Sequence, residues 1–319
     1  MKFDSTDRKL LFLLDQNARA TLTELASQLN CSRETINYRI NKMVKEGVIH
    51  SFLTKINFEK LGLVNYIVYI KLSNLHPKEH SKLIDELSKE PVITWVASLG
   101  GRFDLAIEIT APSISEFNEY FSELLDRHKN HIVNYQISTR VFQYTFGKKY
   151  LWLDKIEKIK KVSVIQTPEA IDILDKTILS AIAYDARASV VEIGNKINEP
   201  ATTVAFRLRK LETKNVIEGY TTFSTIKEFG YSRFKALITV RYFSKSQEEE
   251  FSVFCQSHPN IYYYTKTLGN WNFEIEVDVE SPQKYQQFLI DFRSHFSDII
   301  QDIESLSIFE EHKFGFWPG

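Results

Sequence analysis

Two stretches of this chain carry side chains whose chemistry suits contact with nucleic acid. Each places a hydroxyl, a guanidinium and an ammonium group at spacings of four and three residues, so that a helix would align them on one face. The residues are Thr35, Arg39 and Lys42, and then, 168 positions later, Thr203, Arg207 and Lys210. Such a face fits the DNA major groove, where side chains contact base edges and cations neutralise phosphates. A solvated helix face is the alternative interpretation.

We predict a DNA-contacting surface around each stripe. The second surface is weaker, because Ala201 and Ala205 replace Arg33 and Asn37, although Arg209 is gained. We therefore expect the two surfaces to differ in sequence preference or in strength. The predicted DNA-binding residues are Ser32, Arg33, Thr35, Asn37, Tyr38, Arg39, Lys42, Thr202, Thr203, Arg207, Arg209 and Lys210.

Enzyme chemistry finds little support in the residue pattern. Two histidine pairs, His76 with His80 and His128 with His131, have metal-ligand spacing but lack a supporting cysteine or carboxylate cluster, so we expect solvent-exposed histidines. The sequence contains no Walker loop, dinucleotide glycine fingerprint or nucleophile elbow. We expect no enzyme activity, no catalytic residue, no metal site and no cofactor.

The elements that must position these side chains occur twice at one constant offset. Asn17-Ala18-Arg19 aligns with Asp185-Ala186-Arg187, and Phe146-Gly147 aligns with Phe314-Gly315, both 168 residues apart. A constant offset of 168 residues over most of the length of each copy predicts a tandem duplication. Residues 148–168 between the copies form a basic connector, and Thr167-Pro168 resembles the start of the next helix.

The residue pattern in the first third of each copy predicts three helices. Thr21 and Glu24, like Ser189 and Glu192, have capping-box spacing at the start of a short second helix. A tight turn leads to a third helix, and a strand follows it, which describes a winged helix-turn-helix. The apolar stripes expected in the core are Ile36, Ile40 and Met43, and Val204, Leu208 and Leu211.

The rest of each copy alternates strand and helix patterns in the order βαββαβ, the ferredoxin-like unit. We therefore predict an α+β fold with two copies of a winged helix-turn-helix followed by a ferredoxin-like domain. The aromatic side chains of these units are expected to pack in the core. The predicted domains are 1–60 (first head), 61–147 (first ferredoxin-like domain), 148–168 (connector), 169–228 (second head) and 229–319 (second ferredoxin-like domain).

The residues of the first head resemble the leucine-responsive regulatory protein (Lrp/AsnC) family in order and spacing. The resemblance implies a sequence-specific transcriptional regulator that binds double-stranded DNA. It also implies self-association through the ferredoxin-like domains, within the chain or as a homodimer, and a response to an effector such as an amino acid. The matching segments are Asp7 to Leu14, Asn17-Ala18-Arg19, Glu24-Leu25-Ala26, Ser32 to Thr35, Arg39-Ile40 to Met43, Glu46-Gly47-Val48-Ile49, and Phe58 to Leu61-Gly62.

The same resemblance implies an effector region at a Gly-x-x-Asp turn in the ferredoxin-like hairpin. In the second copy Asn272 replaces Asp104, so the charge that would hold an amino group is lost. A glycine turn required only for hairpin geometry is the alternative. The candidate effector residues are Gly101, Arg102, Asp104, Gly269 and Asn272.

Two other functions stay open at this point. Siroheme decarboxylases resemble duplicated Lrp/AsnC proteins, and His258 and Lys266, which flank Tyr262-Tyr263-Tyr264, give a faint match to the basic residues expected there. An interaction scaffold with vestigial heads is the other alternative. It predicts no salt-sensitive affinity for DNA.

The composition agrees with a protein that is not attached to a membrane. The net charge is −1, only Cys31 and Cys255 occur, and no apolar run approaches the roughly 20 residues of a membrane span. The N-terminal residues contain no apolar segment typical of a leader, so we expect a reducing, cytoplasmic location. The charge is uneven, at +3 in residues 1–60, +4 in 148–168 and −5 in 229–319. We therefore expect the first head and the connector to bind DNA more strongly than the second head.

Overall fold

The computed structural model describes residues 3–154 and 167–318, and it has the same order of helices and strands in both halves. The elements of the first half are α1 (Ser5–Gln16), α2 (Leu22–Leu29), α3 (Arg33–Lys45), β1 (Ile49–Ile56), β2 (Val64–Leu72), α4 (Pro77–Lys89), β3 (Ile93–Gly100), β4 (Leu105–Ala111), α5 (Ile114–His128) and β5 (Ile132–Thr145). Those of the second half are α6 (Ile173–Ile182), α7 (Val190–Ile197), α8 (Ala201–Thr213), β6 (Ile217–Ser224), β7 (Ser232–Val240), α9 (Lys245–Ser257), β8 (Ile261–Leu268), β9 (Phe273–Val279), α10 (Pro282–His295) and β10 (Ile300–Phe314). This order confirms the predicted fold class.

One predicted helix start is wrong. The Thr167-Pro168 pair does not begin a helix, because α6 starts at Ile173 behind the side chain of Asp172. Asp172 accepts a hydrogen bond from the N–H of Asp175 at 2.8 Å, which satisfies one of the unpaired donors of the first turn. Most of the predicted basic connector, residues 155–166, lies outside the described residues.

The described residues divide into two compact units, of which the first lies within 1–63, 165–229 and 315–319. It holds the three helices of both heads. The predicted capping boxes are confirmed: Thr21 Oγ1 accepts from the N–H of Glu24, and Ser189 Oγ accepts from the N–H of Glu192. The heads share one two-stranded antiparallel sheet, β1 with β6, and within residues 3–154 and 167–318 neither head builds a wing hairpin of its own.

The second unit lies within 64–164 and 230–314 and contains a closed eight-stranded antiparallel barrel. The strand order is β10-β3-β4-β2-β5-β8-β9-β7, so the two ferredoxin-like halves join at β5–β8 and at β3–β10. The predicted self-association of these halves is thus made within the chain. Because the barrel is closed, its strands leave no unpaired sheet edge.

Alternating side chains give each strand of the barrel two different faces. On β2, Tyr66, Val68 and Ile70 pack beneath α4 and α5, whereas Ile67 and Tyr69 belong to a separate cluster that takes residues from both halves. Many aromatic residues of the barrel are buried as predicted, whereas Tyr135, Tyr242 and Phe309 are exposed. In the second half this burial is seen at Tyr262, Tyr263, Tyr264, Phe288, Phe292 and Phe296.

A network of buried charges runs along β7 and β9 of the second half. Arg233 donates to Asp278 through Nε at 2.7 Å and Nη2 at 2.9 Å, and Lys235 lies 3.0 Å from Glu276 and 3.1 Å from Glu274. The ammonium of Lys235 also sits 4.7 Å from the centre of the Trp95 ring. Buried charges require such pairing, because an isolated charge in a protein interior lowers the free energy of unfolding by several kcal/mol. Removing one partner of a buried pair costs about 3–5 kcal/mol. Sequence reasoning did not identify this network.

Among the described residues, no helix is long and apolar enough to cross a membrane.

Candidate nucleic-acid interface

Tight turns present α3 and α8 as the second helix of each helix-turn-helix. Asn30 and Asn198 end the preceding helices with φ of 51° and 57°, a left-handed conformation that asparagine adopts more readily than most residues. Ser32 then caps α3, its Oγ accepting from the N–H of Thr35 at 3.1 Å. Pro200 stands at the same place before α8 and offers no side-chain cap. The turn is therefore the same in both heads, and the hydroxyl cap belongs to the first alone.

The buried faces of the two helices are those predicted from periodicity. In α3 the stripe is Ile36, Ile40 and Met43, of which the most exposed retains 5% of its surface. In α8 it is Val204, Leu208 and Leu211. Because these stripes fix how each helix is rotated, they also decide which residues face outward.

The outward face of α3 is polar but differs from the predicted Thr35, Arg39 and Lys42 stripe. Those three side chains are half-buried at the edge of the helix, and Lys42 places its ammonium 5.0 Å from the centre of the Phe3 ring. The exposed residues are four that we predicted and four that we did not. A strict count of helical spacing from Ile36 would have identified Asn41 and Lys45 among the latter. The predicted ones are Ser32, Arg33, Asn37 and Tyr38, and the others are Glu34, Asn41, Val44 and Lys45.

Arg39 and Arg207 bind carboxylates of their own head. Arg39 Nη1 lies 2.7 Å from Asp7 Oδ1 and 3.0 Å from Asp4 Oδ2, and Asp7 is 2% exposed. This hydrogen bonding to Asp7 raises the pKa of the Arg39 guanidinium. These contacts tie α3 to the first turn of α1. Arg39, which we predict to contact DNA, therefore has two carboxylate partners within its own head.

The second head repeats these contacts. Arg207 donates to Asp172 and, at 3.0 Å, to Asp175, which is 1% exposed. Lys210 Nζ lies 3.8 Å from the same Asp175 carboxylate. Of the residues predicted here, Thr203, Arg207 and Lys210 are half-buried, whereas Thr202 and Arg209 are exposed.

The two heads are joined by reciprocal contacts about a central residue pair. In the β1–β6 register Leu53 faces Thr221, its own equivalent 168 positions later. Arg19 Nη2 donates to the carbonyl of Ala188 at 3.1 Å, and Arg187 Nη1 donates to the carbonyl of Ala20 at 3.2 Å, again an equivalent pair. This arrangement is the one expected for a dimer with twofold symmetry, here made inside one chain. It sets the relative position of α3 and α8.

The candidate effector residues lie on the hairpin turns of the barrel, where several have internal partners. Asp104 accepts from the N–H of Leu72 at 2.7 Å and from Lys71 Nζ at 2.9 Å. Asn272 accepts from the N–H of Val240, the equivalent of Leu72, at 3.0 Å. The shared function of Asp104 and Asn272 is therefore to bind a strand N–H, which needs no charge.

Close packing explains the glycines of these turns. A Cβ at Gly101, where φ is +124°, would lie 3.2 Å from the carbonyl oxygen of Ser305. A Cβ at Gly269 would lie 2.8 Å from the carbonyl oxygen of Ile137. Arg102 in the first turn is exposed and lies 3.2 Å from Glu304.

The histidine pairs are not uniformly exposed as predicted. His76 is exposed and caps α4, but His128 is 6% exposed, and its ring centre lies 6.0 Å from that of His131. Burial lowers the pKa of His128, which favours the neutral imidazole. Among the described residues no group of three or more histidine, cysteine, aspartate or glutamate side chains has metal-binding geometry.

The two basic residues that gave a faint match to siroheme decarboxylases contact neighbouring side chains of the protein. His258 lies against the rings of Phe254 and Phe288, and its burial, with Lys149 nearby, lowers its pKa to about 4. Lys266 Nζ binds Glu248 at 2.6 Å. A neutral, packed imidazole and a paired ammonium are poorly suited to hold the carboxylates of a tetrapyrrole.

Comparisons with known proteins agree with this geometry. Residues 3–50 match the family described as winged helix-turn-helix DNA-binding, and residues 171–212 match the AsnC-type helix-turn-helix domain. The chain is 35% identical over 130 residues to PH0061, an uncharacterised HTH-type transcriptional regulator of Pyrococcus horikoshii, covering 40% of this chain and 86% of that protein. It is 33% identical to an uncharacterised HTH-type transcriptional regulator of Pyrococcus abyssi, PYRAB00690, and this match also covers 40% of this chain and 86% of that protein.

A solved structure also resembles the whole chain. The siroheme decarboxylase NirDL superposes with a TM-score of 0.60 over 98% of this chain and 93% of its own, at 11% sequence identity, which shows a common fold. Family membership rests on the sequence relatives, one of which is 35% identical and is covered over 86% of its length. The chain therefore belongs to the Lrp/AsnC family of helix-turn-helix transcriptional regulators.

Proposed function

We propose that this chain is a sequence-specific DNA-binding transcriptional regulator in which a tandem duplication placed two heads and two ferredoxin-like domains on one polypeptide. The constant offset of 168 residues supports the duplication, since it relates equivalent partners in the β1–β6 sheet as well as equivalent helices. Residues 1–60 and 169–228 supply the heads. Residues 64–147 and 230–314 supply the barrel; the predicted bounds of 61–147 and 229–319 extend too far, because residues 61–63, 229 and 315–319 belong to the unit of the heads.

The observation that carries the proposal is the pair of helices α3 and α8, each with a buried apolar stripe and an exposed outer face, held in one compact unit by β1 and β6. A helix so presented enters the major groove with its N-terminal residues at the base edges. Because both heads belong to one chain, binding of the first raises the effective concentration of the second. Phosphate contacts from exposed cations such as Lys45 and Arg209 would supply most of the affinity.

We expect this binding to be strongly salt-dependent and to depend on α3. The full chain is titrated into duplexes selected from a random library, and the dissociation constant is followed by fluorescence anisotropy at several salt concentrations. Arg33→Ala removes an exposed guanidinium and should weaken binding roughly 5- to 150-fold, and Lys45→Ala should reduce the salt slope by about 1.

Lys82→Ala on α4 is the matched control for Lys45→Ala, because Lys82 is also an exposed helical lysine but lies in the barrel unit. It should leave binding unchanged. DNA affinity that is absent or insensitive to salt would contradict the proposal and favour the interaction scaffold.

We further propose that a small-molecule effector such as an amino acid binds at the first turn, around Gly101, Arg102 and Asp104, because Asp104 carries a charge that Asn272 lacks. Asp104→Asn is the informative variant, since the second copy demonstrates that asparagine can accept the same strand N–H. In thermal-shift measurements with each common amino acid, we expect a stabilising ligand for the wild type that does not stabilise Asp104→Asn. Equal stabilisation of both proteins would place the ligand elsewhere.

A further inference from the structure

The outward faces of α3 and α8 differ in their chemistry although the two helices are built alike. In α3 the exposed positions of the first two turns include Arg33, Asn37 and Tyr38. Arginine and asparagine are the side chains that form paired hydrogen bonds with guanine and adenine in the major groove. The first head therefore carries hydrogen-bonding groups at the positions that meet base edges.

The equivalent surface of α8 has few such groups. Ala201 and Ala205 replace Arg33 and Asn37, and Phe206 replaces Tyr38, which removes the hydroxyl as well. Phe206 is 67% exposed, close to the 68% of Tyr38, so a large apolar ring projects from the helix at the same place. Exposed Thr202 lies one turn before it, and exposed Arg209 lies one turn after it.

Apolar side chains in the major groove can distinguish one base by a feature that is itself apolar. Thymine alone carries a 5-methyl group there, and phenylalanine, alanine and the threonine methyl are the side chains that contact it. Arg209, one turn further along the helix, would supply a phosphate contact that anchors such a helix in the groove. An exposed ring one helical turn from an exposed guanidinium thus fits a thymine-rich half of a DNA site.

We infer that the two heads read DNA by different chemistry, the first through hydrogen bonds from Arg33, Asn37 and Tyr38, and the second through apolar contact of Phe206 with thymine methyl groups. Phe206 is then a specificity-determining residue, and the preferred site is asymmetric. This inference rests on the proposed DNA-binding function.

The test replaces thymine by uracil, which removes the 5-methyl group and leaves the hydrogen-bonding edge unchanged. The full chain first selects its sites from a duplex library randomised over about three helical turns, or about 30 base pairs. Repeating the selection with Asn37→Ala assigns the half-site of the first head, because base preference relaxes there. Uracil is then placed in one half-site at a time.

For the wild type we expect uracil in the second half-site to weaken binding about fourfold for each contacted methyl group, and uracil in the first half-site to have little effect. Phe206→Ala should bind the thymine site more weakly than the wild type and should lose this sensitivity to uracil. The variant is expected to fold, because the side chain is mostly exposed. Tyr38→Ala is its matched control and should leave the response in the second half-site intact.

The possible failures are distinguishable. A wild-type chain that selects no site and shows no salt-sensitive affinity contradicts the proposed function itself. A chain that selects sites but is indifferent to uracil, or a Phe206→Ala variant that is as sensitive as the wild type, overturns the inference alone. Unchanged DNA affinity in Phe206→Ala together with lost self-association in sedimentation would identify Phe206 as a protein contact instead.

Discussion

Replacing Arg233 by alanine is expected to lower the free energy of unfolding by about 3–5 kcal/mol, the effect of removing one partner of a buried ion pair. Arg233 is 8% exposed, and it donates two hydrogen bonds to the fully buried carboxylate of Asp278 and a third to Glu311 at 3.2 Å. Without the guanidinium, Asp278 is a buried charge that has lost its counter-ion. Urea unfolding followed by circular dichroism measures this decrease in the free energy of unfolding.

Arg102→Ala is the control for this prediction. Arg102 also pairs with a glutamate of β10, but its side chain is 53% exposed, so the pair should contribute less than about 1 kcal/mol. The double variant Arg233→Met with Asp278→Asn removes both charges and should recover part of the stability. If Arg233→Ala costs no more than Arg102→Ala, the buried network does not stabilise the barrel as described.

Arg39→Ala is expected to destabilise the first head by about 2 kcal/mol, because it leaves the buried carboxylate of Asp7 without a charged hydrogen-bond donor. DNA affinity should fall as well, since α3 is no longer tied to the first turn of α1. Arg207→Ala should do the same in the second head through Asp175. Chemical denaturation and DNA binding, measured on the same proteins, test both effects.

The comparison with Lys45→Ala separates a positioning role from phosphate contact. Lys45 is exposed at the end of α3, and its removal should change stability by less than about 0.5 kcal/mol. If Arg39→Ala keeps full stability and lowers the salt slope of DNA binding by about 1, Arg39 contacts a phosphate as the sequence pattern suggested. Loss of stability with an unchanged slope supports the ion pair with Asp7.

Local patterns were sufficient to predict most helices and strands. The capping boxes at Thr21 and Ser189 and the buried stripe of Ile36, Ile40 and Met43 involve residues a few positions apart, whose interactions form within one or two turns of helix. The wrong start at Thr167-Pro168 has a local cause too. Proline tolerates the first turn of a helix without requiring one, and the capping box formed by Asp172 and Asp175 sets the start of α6 instead.

The exposed surface of α3 was predicted less well than the fold. The sequence identified α3 and its equivalent but not the ion pair of Arg39, because a helical stripe does not reveal which cations already have a partner. That partner, Asp7, lies 32 residues away on another helix. Phe206 and the Arg233 network were missed for a related reason, since exposure and burial of single side chains depend on how the elements pack.

The sequence by itself determined the order of elements, the helix-turn-helix and ferredoxin-like character of each half, and the family, because these follow from periodicity, capping and motif spacing within short segments. Only the tertiary structure decided that β1 pairs with β6, that the two halves close one barrel at β5–β8 and β3–β10, and which arginines are engaged in ion pairs. Strand partners more than 100 residues apart are chosen by the burial and hydrogen bonding of the whole assembly. No local pattern contains that choice.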